Sequence, residues 1–383
     1  MDDLRAMKLR MLKRVLCPPE VCVGAGSLDR LGCLDPARVL VVTSARARSS
    51  GVLDRVTSQL KSVTSWQVME LPVGEPRAAT VAAGQATVAT FSPQWIVAVG
   101  GGSVMDAAKF LWAQFEHPNL VLSGMVPAVI GPLRQKARLI AVPTTAGSGS
   151  EASQAAVLSG DDGSKIPYVS PHWVPDIVIL DPTLTVSLPR ATTVATGFDA
   201  LTHAVESAVS SLGNAFLQAL AATAMRLVLR HLPVAAEKPQ DLAARGGMLE
   251  AAFLAGLCQS MASTGAAHAL SHATSKLFGA PHGVSTGFYL LPTMRWNRMK
   301  NAAVYDELAI SCGLADGAEL VAVLSDLAAR VGLPQRFEEL MGKALDTAER
   351  QTLAEVAGKD VCLRTNACRM KPPELAQLLA GIG

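Results

Sequence analysis

The feature that most constrains the fold is a change of hydrophobic pattern near residue 190. Before that point, short β-branched runs such as "RVLVVT" (38–43) and "WIVAVG" (95–100) alternate with helix-like stretches. Further apolar runs of the same kind occupy 65–71, 138–143 and 177–182. Strands separated by helical stretches of about 10 to 15 residues are typical of βαβ units. The first half therefore predicts a parallel sheet covered by helices.

From about Thr192 onward, comparable β-runs stop and the chain becomes rich in Ala and Leu. Segments such as "ATGFDALTHAVESAVSS" and "NAFLQALAATAMRLVLRHL" repeat apolar residues at spacings of three and four, which predicts helices. A chain of 383 residues also exceeds the usual size of one hydrophobic core. We predict an α/β domain over residues 1–190 and an all-helical domain over residues 191–383.

Charge and cysteine content narrow the class of protein. Lys and Arg total 34 against 32 acidic residues, with both signs dispersed, so there is no electrostatic basis for binding nucleic acid or membrane. No uncharged apolar run reaches the ~18 residues of a spanning helix, and the opening residues are too charged for a signal peptide. Seven cysteines without a CxxC pair indicate reduced thiols. We expect a soluble, cytoplasmic protein.

Two glycine-rich loops follow predicted strands. "WIVAVGGGSVMDAAKF" (95–110) places three glycines and Ser103 between a strand and a helix, where backbone amides can approach a phosphate. "PTTAGSGSE" (143–151) adds hydroxyls and amides after the next strand. Tight turns also use glycine for steric reasons alone. Two such loops at the carboxyl ends of strands in one sheet favour a nucleotide pyrophosphate site.

Histidines and one carboxylate recur at helical spacing in the second half. Asp199 and His203 lie four apart, as do His268 and His272, so each pair shares one helix face. His282 follows in the loop-like "APHG". A single pair of this kind is usually a hydrogen-bonded surface pair, but polar groups inside such apolar segments are costly without partners. Together these five residues favour a metal site.

The donor types select among metals but leave the ligand set open. Imidazoles with a carboxylate suit Fe²⁺ or Zn²⁺ better than Mg²⁺ or Ca²⁺, which prefer oxygen ligands. A catalytic ion also needs a position open to substrate. Five candidates exceed a fourfold protein shell, so one of them would orient a ligand or pass a proton.

Over nearly its whole length the chain resembles the iron-containing (group III) alcohol dehydrogenase family. The resemblance rests on "PPEVCVGAGSLDRLG", "GGGSVMDAAK", "PTTAGSGSEAS", "ATGFDALTHAVES", "HALSHATSKLFGAPHG" and a terminal "TNACR". It implies a dehydroquinate synthase-like architecture: an N-terminal Rossmann-like dinucleotide-binding α/β domain followed by an all-α domain. It also implies that the metal ligands are Asp199, His203, His268 and His282, and that His272 is a catalytic residue near the substrate.

The resemblance also implies a coenzyme site, with one departure. The implied coenzyme residues are Gly101, Gly102, Ser103, Thr144, Thr145, Ser148, Lys165 and Leu184. Many relatives carry an Asp after the first Rossmann-like strand, where this chain has Ser44, followed by Arg46 and Arg48. Without that carboxylate a 2′-phosphate is not repelled, and a guanidinium can pair with it. We predict that NAD(P)H is bound at this site, with NADPH slightly favoured.

The implied reaction is reversible hydride transfer between a primary alcohol, or its aldehyde, and nicotinamide, with Fe²⁺ or Zn²⁺ as a Lewis acid on the substrate oxygen. Ala266 and Ala267 replace bulkier residues of relatives, which predicts a wider pocket if they face it. Rival functions are a dehydroquinate synthase-like lyase, a maleylacetate reductase-type enzyme and a non-catalytic nucleotide-binding protein. We expect a homodimer or higher homo-oligomer, and no role for Cys258.

Overall fold

The computed structural model describes residues 15–35, 37–72, 74, 76–122, 130–160 and 164–382. Residues 1–14, the charged opening segment, and residues 161–163 lie outside the described residues. The described chain forms two compact units. One contains residues 16–188 and 239–253, and the other contains residues 189–238 and 254–382.

The first unit is built on a six-stranded sheet in which every neighbouring pair is parallel. Its strands are β1 (Glu20–Val23), β2 (Arg38–Ser44), β3 (Ser65–Leu71), β4 (Trp95–Gly100), β5 (Arg138–Pro143) and β8 (Ile177–Leu180). They stand in the order β1-β8-β5-β4-β2-β3. A separate antiparallel pair joins β6 (Ala155–Ser159) to β7 (Lys165–Val169).

Helices connect these strands as the alternation predicts. They are α1 (Ala45–Ser49), α2 (Val52–Gln59), α3 (Ala78–Phe91) and α4 (Gly102–Glu116). Side chains from β2, β4, β5 and β8 alternate into a core that also receives Val52, Leu53 and Val56 of α2. Because most central-strand residues are buried, these strands read as continuous apolar runs in the sequence. The strand predicted at 177–182 ends at Leu180, where Asp181 caps a short 3₁₀ turn.

The second unit is helical, and no strand occurs among its described residues. Its helices include α5 (Arg190–Val209), α6 (Ala215–Glu237), α8 (Ala266–Phe278), α9 (His282–Lys300), α10 (Ala302–Ser311), α11 (Gly317–Val331), α12 (Phe337–Met341), α13 (Thr347–Ala357) and α14 (Pro372–Ala380). The helix α7 (Leu242–Ala262) begins in the first unit and ends in the second. The predicted fold class, a Rossmann-like α/β part followed by an all-α part, is confirmed.

One helix of the described chain, α6, is long and apolar enough to cross a membrane by length and composition. Half of its most apolar window is buried within the protein. Its buried side chains include Leu217, Met225, Val228 and Leu232, which makes it a core helix by packing. All seven cysteines are free, and Cys258 is fully buried with its pKa raised to about 12 by burial, as expected of an inert thiol.

Candidate metal centre and coenzyme site

The helix α5 presents three buried polar side chains on one face. Asp199, His203 and Glu206 are spaced by four and three residues, which places them on successive turns of the same stripe. Each is at most 6% exposed. The stripe lies beside buried apolar residues such as Leu201 and Val205, so its polar atoms need partners from other helices.

Two glycines of α9 allow that helix to approach α5 closely. A Cβ on Gly283 would lie 2.9 Å from the carbonyl oxygen of Ala195, and one on Gly287 would lie 2.6 Å from the Cβ of Phe198. Both distances are too short for a side chain. The close packing brings His282, the first residue of α9, to Asp199: its Nε2 lies 3.6 Å from Asp199 Oδ1.

The helix α8 delivers the second imidazole. His268 Nε2 lies 3.8 Å from Asp199 Oδ1. One ligand atom each from Asp199, His268 and His282 lies within 4.8 Å of the other two, a spacing that can hold a metal ion. The ring of His203 stacks on that of His268, with centroids 4.6 Å apart and planes 24° from parallel, although His203 is not part of that group of three.

Buried atoms without hydrogen-bond partners make this cluster a candidate metal site. Among the described residues, Asp199 Oδ1, His203 Nδ1 and His268 Nε2 are buried and accept or donate no hydrogen bond. Such groups are rare because each costs free energy. Burial also lowers the pKa of His268 well below its ordinary value and that of His282 to about 3, so both imidazoles are neutral. The donors therefore fit Fe²⁺ or Zn²⁺.

Glu206 belongs to this cluster and was not singled out in the sequence. Its carboxylate accepts hydrogen bonds from His268 Nδ1 at 2.6 Å, from the Gly265 amide at 2.8 Å and from the Ala267 amide at 2.7 Å. Burial raises the pKa of Glu206 to about 7 against these hydrogen bonds. The bond to Nδ1 fixes the tautomer of His268 and leaves Nε2 for Asp199 and a metal. Its spacing from His203, three residues along one helix face, was the available signal.

His272 has different partners from the other histidines. Its Nδ1 lies 2.8 Å from Asp360 Oδ2, and its ring stacks on that of His282 with centroids 5.2 Å apart. It clusters with Asp360 and Cys362, whose ligand atoms lie within 4.8 Å, and not with Asp199. The catalytic role expected of His272 stays a prediction. Asp360 was not singled out in the sequence.

Ala266 and Ala267 are fully buried in the apolar core of the helical unit. Their neighbours there include Phe288 and Tyr289. The condition for a wider pocket, that these two residues face it, is not met, because neither has any exposed surface.

In the α/β unit, the two glycine-rich loops meet. A Cβ on Gly102 would lie 2.6 Å from Ser148 Oγ, and one on Gly101 would lie 3.2 Å from Thr145 Oγ1. The Thr144 amide also donates to the Gly100 carbonyl at 2.9 Å. Gly102 and Ser103 open the 15-residue helix α4, so free amides and hydroxyls share this edge of the sheet. Such a cradle suits the negative charge of a phosphate.

Ser44 stands at the carboxyl end of β2, next to the point where the strand order reverses. The chain runs outward from β2 to β3 and then returns to β4 on the other side of β2. Doubly wound sheets bind ligands at such a switch point. Of the two nearby arginines, Arg48 pairs with Glu70 at 2.7 Å, whereas Arg46 is exposed on α1.

The last two predicted coenzyme residues lie elsewhere in the same unit. Lys165 begins β7, and partial burial lowers its pKa to about 8. Leu184 is 1% exposed and belongs to the core beneath the sheet. The glycine-rich loops in one unit and the carboxylate–imidazole cluster in the other fit one class of protein: a metal-dependent enzyme linked to a nucleotide coenzyme.

Comparisons with known proteins identify the family. The family model for iron-containing alcohol dehydrogenase matches residues 18–182, and that for the family's C-terminal part matches residues 193–382. The probable alcohol dehydrogenase EutG of Escherichia coli strain K12 is 32% identical, over 94% of this chain and 92% of its own length. The NADPH-dependent butanol dehydrogenase of Clostridium saccharobutylicum is 29% identical, over 96% and 97%.

Solved structures agree. An iron-containing alcohol dehydrogenase from Thermococcus thioreducens superposes with a TM-score of 0.89 at 29% identity, covering 96% of this chain and 99% of its own. Sulfoacetaldehyde reductase from Bifidobacterium kashiwanohense, in complex with NAD⁺, gives 0.85 at 26% identity, covering 96% and 98%. The chain belongs to the iron-containing alcohol dehydrogenase family. It is an oxidoreductase that acts on CH–OH groups with NAD(P).

Proposed function

We propose that this protein interconverts a small primary alcohol and its aldehyde, with the metal held by Asp199, His203, His268 and His282. The observation that carries the proposal is the set of three buried polar atoms without partners, one each on Asp199, His203 and His268. A divalent cation bound by these residues would remove the cost of burying the three atoms: Asp199 Oδ1 and His268 Nε2 lie 3.8 Å apart, and His203 stacks on His268. His282 supplies the remaining donor from the start of α9.

When bound, the metal supplies Lewis acidity toward the substrate oxygen. The protein's own residues hold the ligands and move the proton. Glu206 keeps the His268 Nδ1 proton in place through its 2.6 Å contact. His272 donates from Nδ1 to Asp360, so we assign its Nε2 to proton exchange with the reacting hydroxyl or carbonyl.

We propose that the coenzyme pyrophosphate lies against Gly101, Gly102 and Ser103 and the facing hydroxyls Thr144, Thr145 and Ser148, with Lys165 and Leu184 completing the site. NADPH is accepted and slightly favoured over NADH. Ser44 carries no charge to repel a 2′-phosphate, and Arg46 is exposed beside it. The pairing of Arg48 with Glu70 leaves Arg46 as the arginine offered to the phosphate.

We further propose that the enzyme works in the cytoplasm as a homodimer or higher homo-oligomer. The near-neutral charge of +2, with both signs dispersed, supports a soluble setting without a charged macromolecular partner.

The test is turnover of metal-reconstituted protein against short, branched, aromatic and acidic aldehydes, each with NADH and with NADPH. We expect oxidation of reduced coenzyme with at least one short-chain aldehyde, and a higher kcat/KM with NADPH. His282→Ala should lose metal and turnover together. His117→Ala is the matched control, because His117 contacts only the Pro132 carbonyl among the contacts described for its ring nitrogens. Absence of turnover across the whole panel contradicts the proposal.

A further inference from the structure

Three charged side chains of the α/β unit lie outside the proposed metal ligands: Lys109 and Glu151 are buried, and Asp106 is partly buried. Asp106 and Lys109 lie on α4, and Glu151 is the last residue of the second glycine-rich loop. Lys109 has no exposed surface and Glu151 is 1% exposed. Burial lowers the pKa of Lys109 to about 8 and raises that of Glu151 to about 7. Burying charged groups costs free energy, so the contacts that these side chains make need an explanation.

Lys109 donates all of its ammonium protons to main-chain carbonyls of residues 150–155. Its Nζ donates to the carbonyl oxygens of Ser150, Ser153 and Ala155, each at 2.8 Å, and lies 3.2 Å from Ser150 Oγ. An ammonium has three protons, and three main-chain carbonyls take them. Lys109 therefore fixes the course of the backbone over residues 150–155.

Asp106 contacts the same segment. Its Oδ1 accepts from Ser150 Oγ at 2.5 Å, and its Oδ2 accepts from the Val157 amide at 3.0 Å. Asp106 and Lys109 lie one turn apart on α4, so one helix binds residues 150–157 through both a cation and an anion.

Ser150 connects Asp106 and Lys109 to the proposed phosphate cradle. The Ser150 amide donates to Ser148 Oγ at 3.3 Å, so the hydroxyl proton of Ser148 remains available for donation. Ser148 Oγ is the atom that would lie 2.6 Å from a Cβ on Gly102, the first residue of α4. The first residues of α4 border the proposed phosphate site. Asp106 and Lys109, one and two turns later on the same helix, fix the position of the Ser148 hydroxyl that lies opposite.

We propose that Lys109 and Asp106 are positioning residues for the coenzyme, which act by locking the 148–155 segment against the N-terminus of α4. The inference rests on the proposed coenzyme site. Neither side chain touches the coenzyme; both act through Ser150 and Ser148. Their loss therefore weakens coenzyme binding and leaves the chemistry of bound coenzyme unaffected.

The experiment measures coenzyme Kd by NADPH fluorescence, together with KM and kcat, on the metal-loaded enzyme carrying Lys109→Met. We expect Kd and KM for the coenzyme to rise by about tenfold or more, since charge-assisted hydrogen bonds are lost. The kcat at saturating coenzyme and the metal content should stay near those of the parent. Lys136→Met is the matched control: Lys136 donates to the Phe115 carbonyl, at the opposite end of α4, and its loss should not change Kd.

A milder variant keeps the test decisive if Lys109→Met does not fold. Ser150→Ala removes only the hydroxyl that joins Asp106 to Lys109, and we expect it to raise coenzyme Kd by about threefold. A coenzyme Kd equal to the parent's in either folded variant overturns the inference, as does an equal loss of kcat and metal. If the parent itself binds neither NADPH nor NADH, the proposed coenzyme site fails as well, which separates the two failures.

Discussion

At the residue scale, the metal cluster depends on one carboxylate that contacts no metal in our assignment. Glu206 accepts hydrogen bonds from His268 and from two amides at the start of α8. It therefore fixes both the ring of a ligand and the helix that carries it. Residues that orient metal-binding histidines govern metal affinity almost as strongly as the ligands do.

We predict that Glu206→Gln weakens metal binding by about 10- to 100-fold, because the neutral amide cannot accept all three hydrogen bonds. The measurement is metal affinity by competition with a chelator, which does not depend on turnover. Glu307→Gln, an exposed acid on α10, is the control and should retain parental affinity. Equal metal affinity in both variants would contradict the role assigned to Glu206.

Residue-level partners were the least predictable part of the site. The spacing of Asp199, His203, His268 and His272 could be read directly from the chain. Glu206 and His268 are 62 residues apart, and His272 and Asp360 are 88 apart. No local pattern joins such pairs, because tertiary packing alone brings them together. The close contact of the two glycine-rich loops through Gly102 and Ser148 has the same origin.

At the element scale, the packing of α9 on α5 sets the geometry of the ligands. Gly287 leaves no room for a Cβ, which would lie 2.6 Å from Phe198 Cβ, and Phe198 immediately precedes Asp199. A side chain at this position must push the two helices apart.

We predict that Gly287→Ala lowers the free energy of unfolding by about 1 to 3 kcal/mol through overpacking, and lowers metal affinity with it. Gly246→Ala is the matched helical control, since its Cβ would lie 3.9 Å from Pro182. That change should be neutral or stabilise by up to about 1 kcal/mol, because alanine favours the helix. Chemical denaturation of both variants checks the contrast, and equal effects would contradict the packing account.

Element prediction succeeded where the pattern was local. β2, β3, β4 and β5 each lie within a residue of the predicted apolar run. The sequence did not reveal β1, a half-exposed edge strand of four residues, or the β6–β7 pair. Pro167 lies within β7, and a proline in the sequence argues against predicting a strand there. These short elements are stabilised by distant pairing partners, which periodicity does not report.

At the scale of the whole molecule, coenzyme and metal residues belong to different compact units. All nine proposed coenzyme residues lie within 16–188, and the four proposed ligands lie within 189–238 and 254–382. The change of pattern near residue 190 predicted the fold class. It did not predict that residues 239–253, which include the first half of α7, pack with the α/β unit. The helical periodicity is the same along the whole of α7, so it does not indicate which unit each end joins.

The central claim is that one metal ion is held by Asp199, His203, His268 and His282. The most direct measurement is anomalous scattering at the iron edge from crystals of iron-loaded protein. We predict a single peak about 2.0 to 2.2 Å from an oxygen of Asp199 and from one nitrogen of each histidine. A peak bonded instead to His272, Asp360 and Cys362, the other cluster of suitable donors among the described residues, would contradict the account.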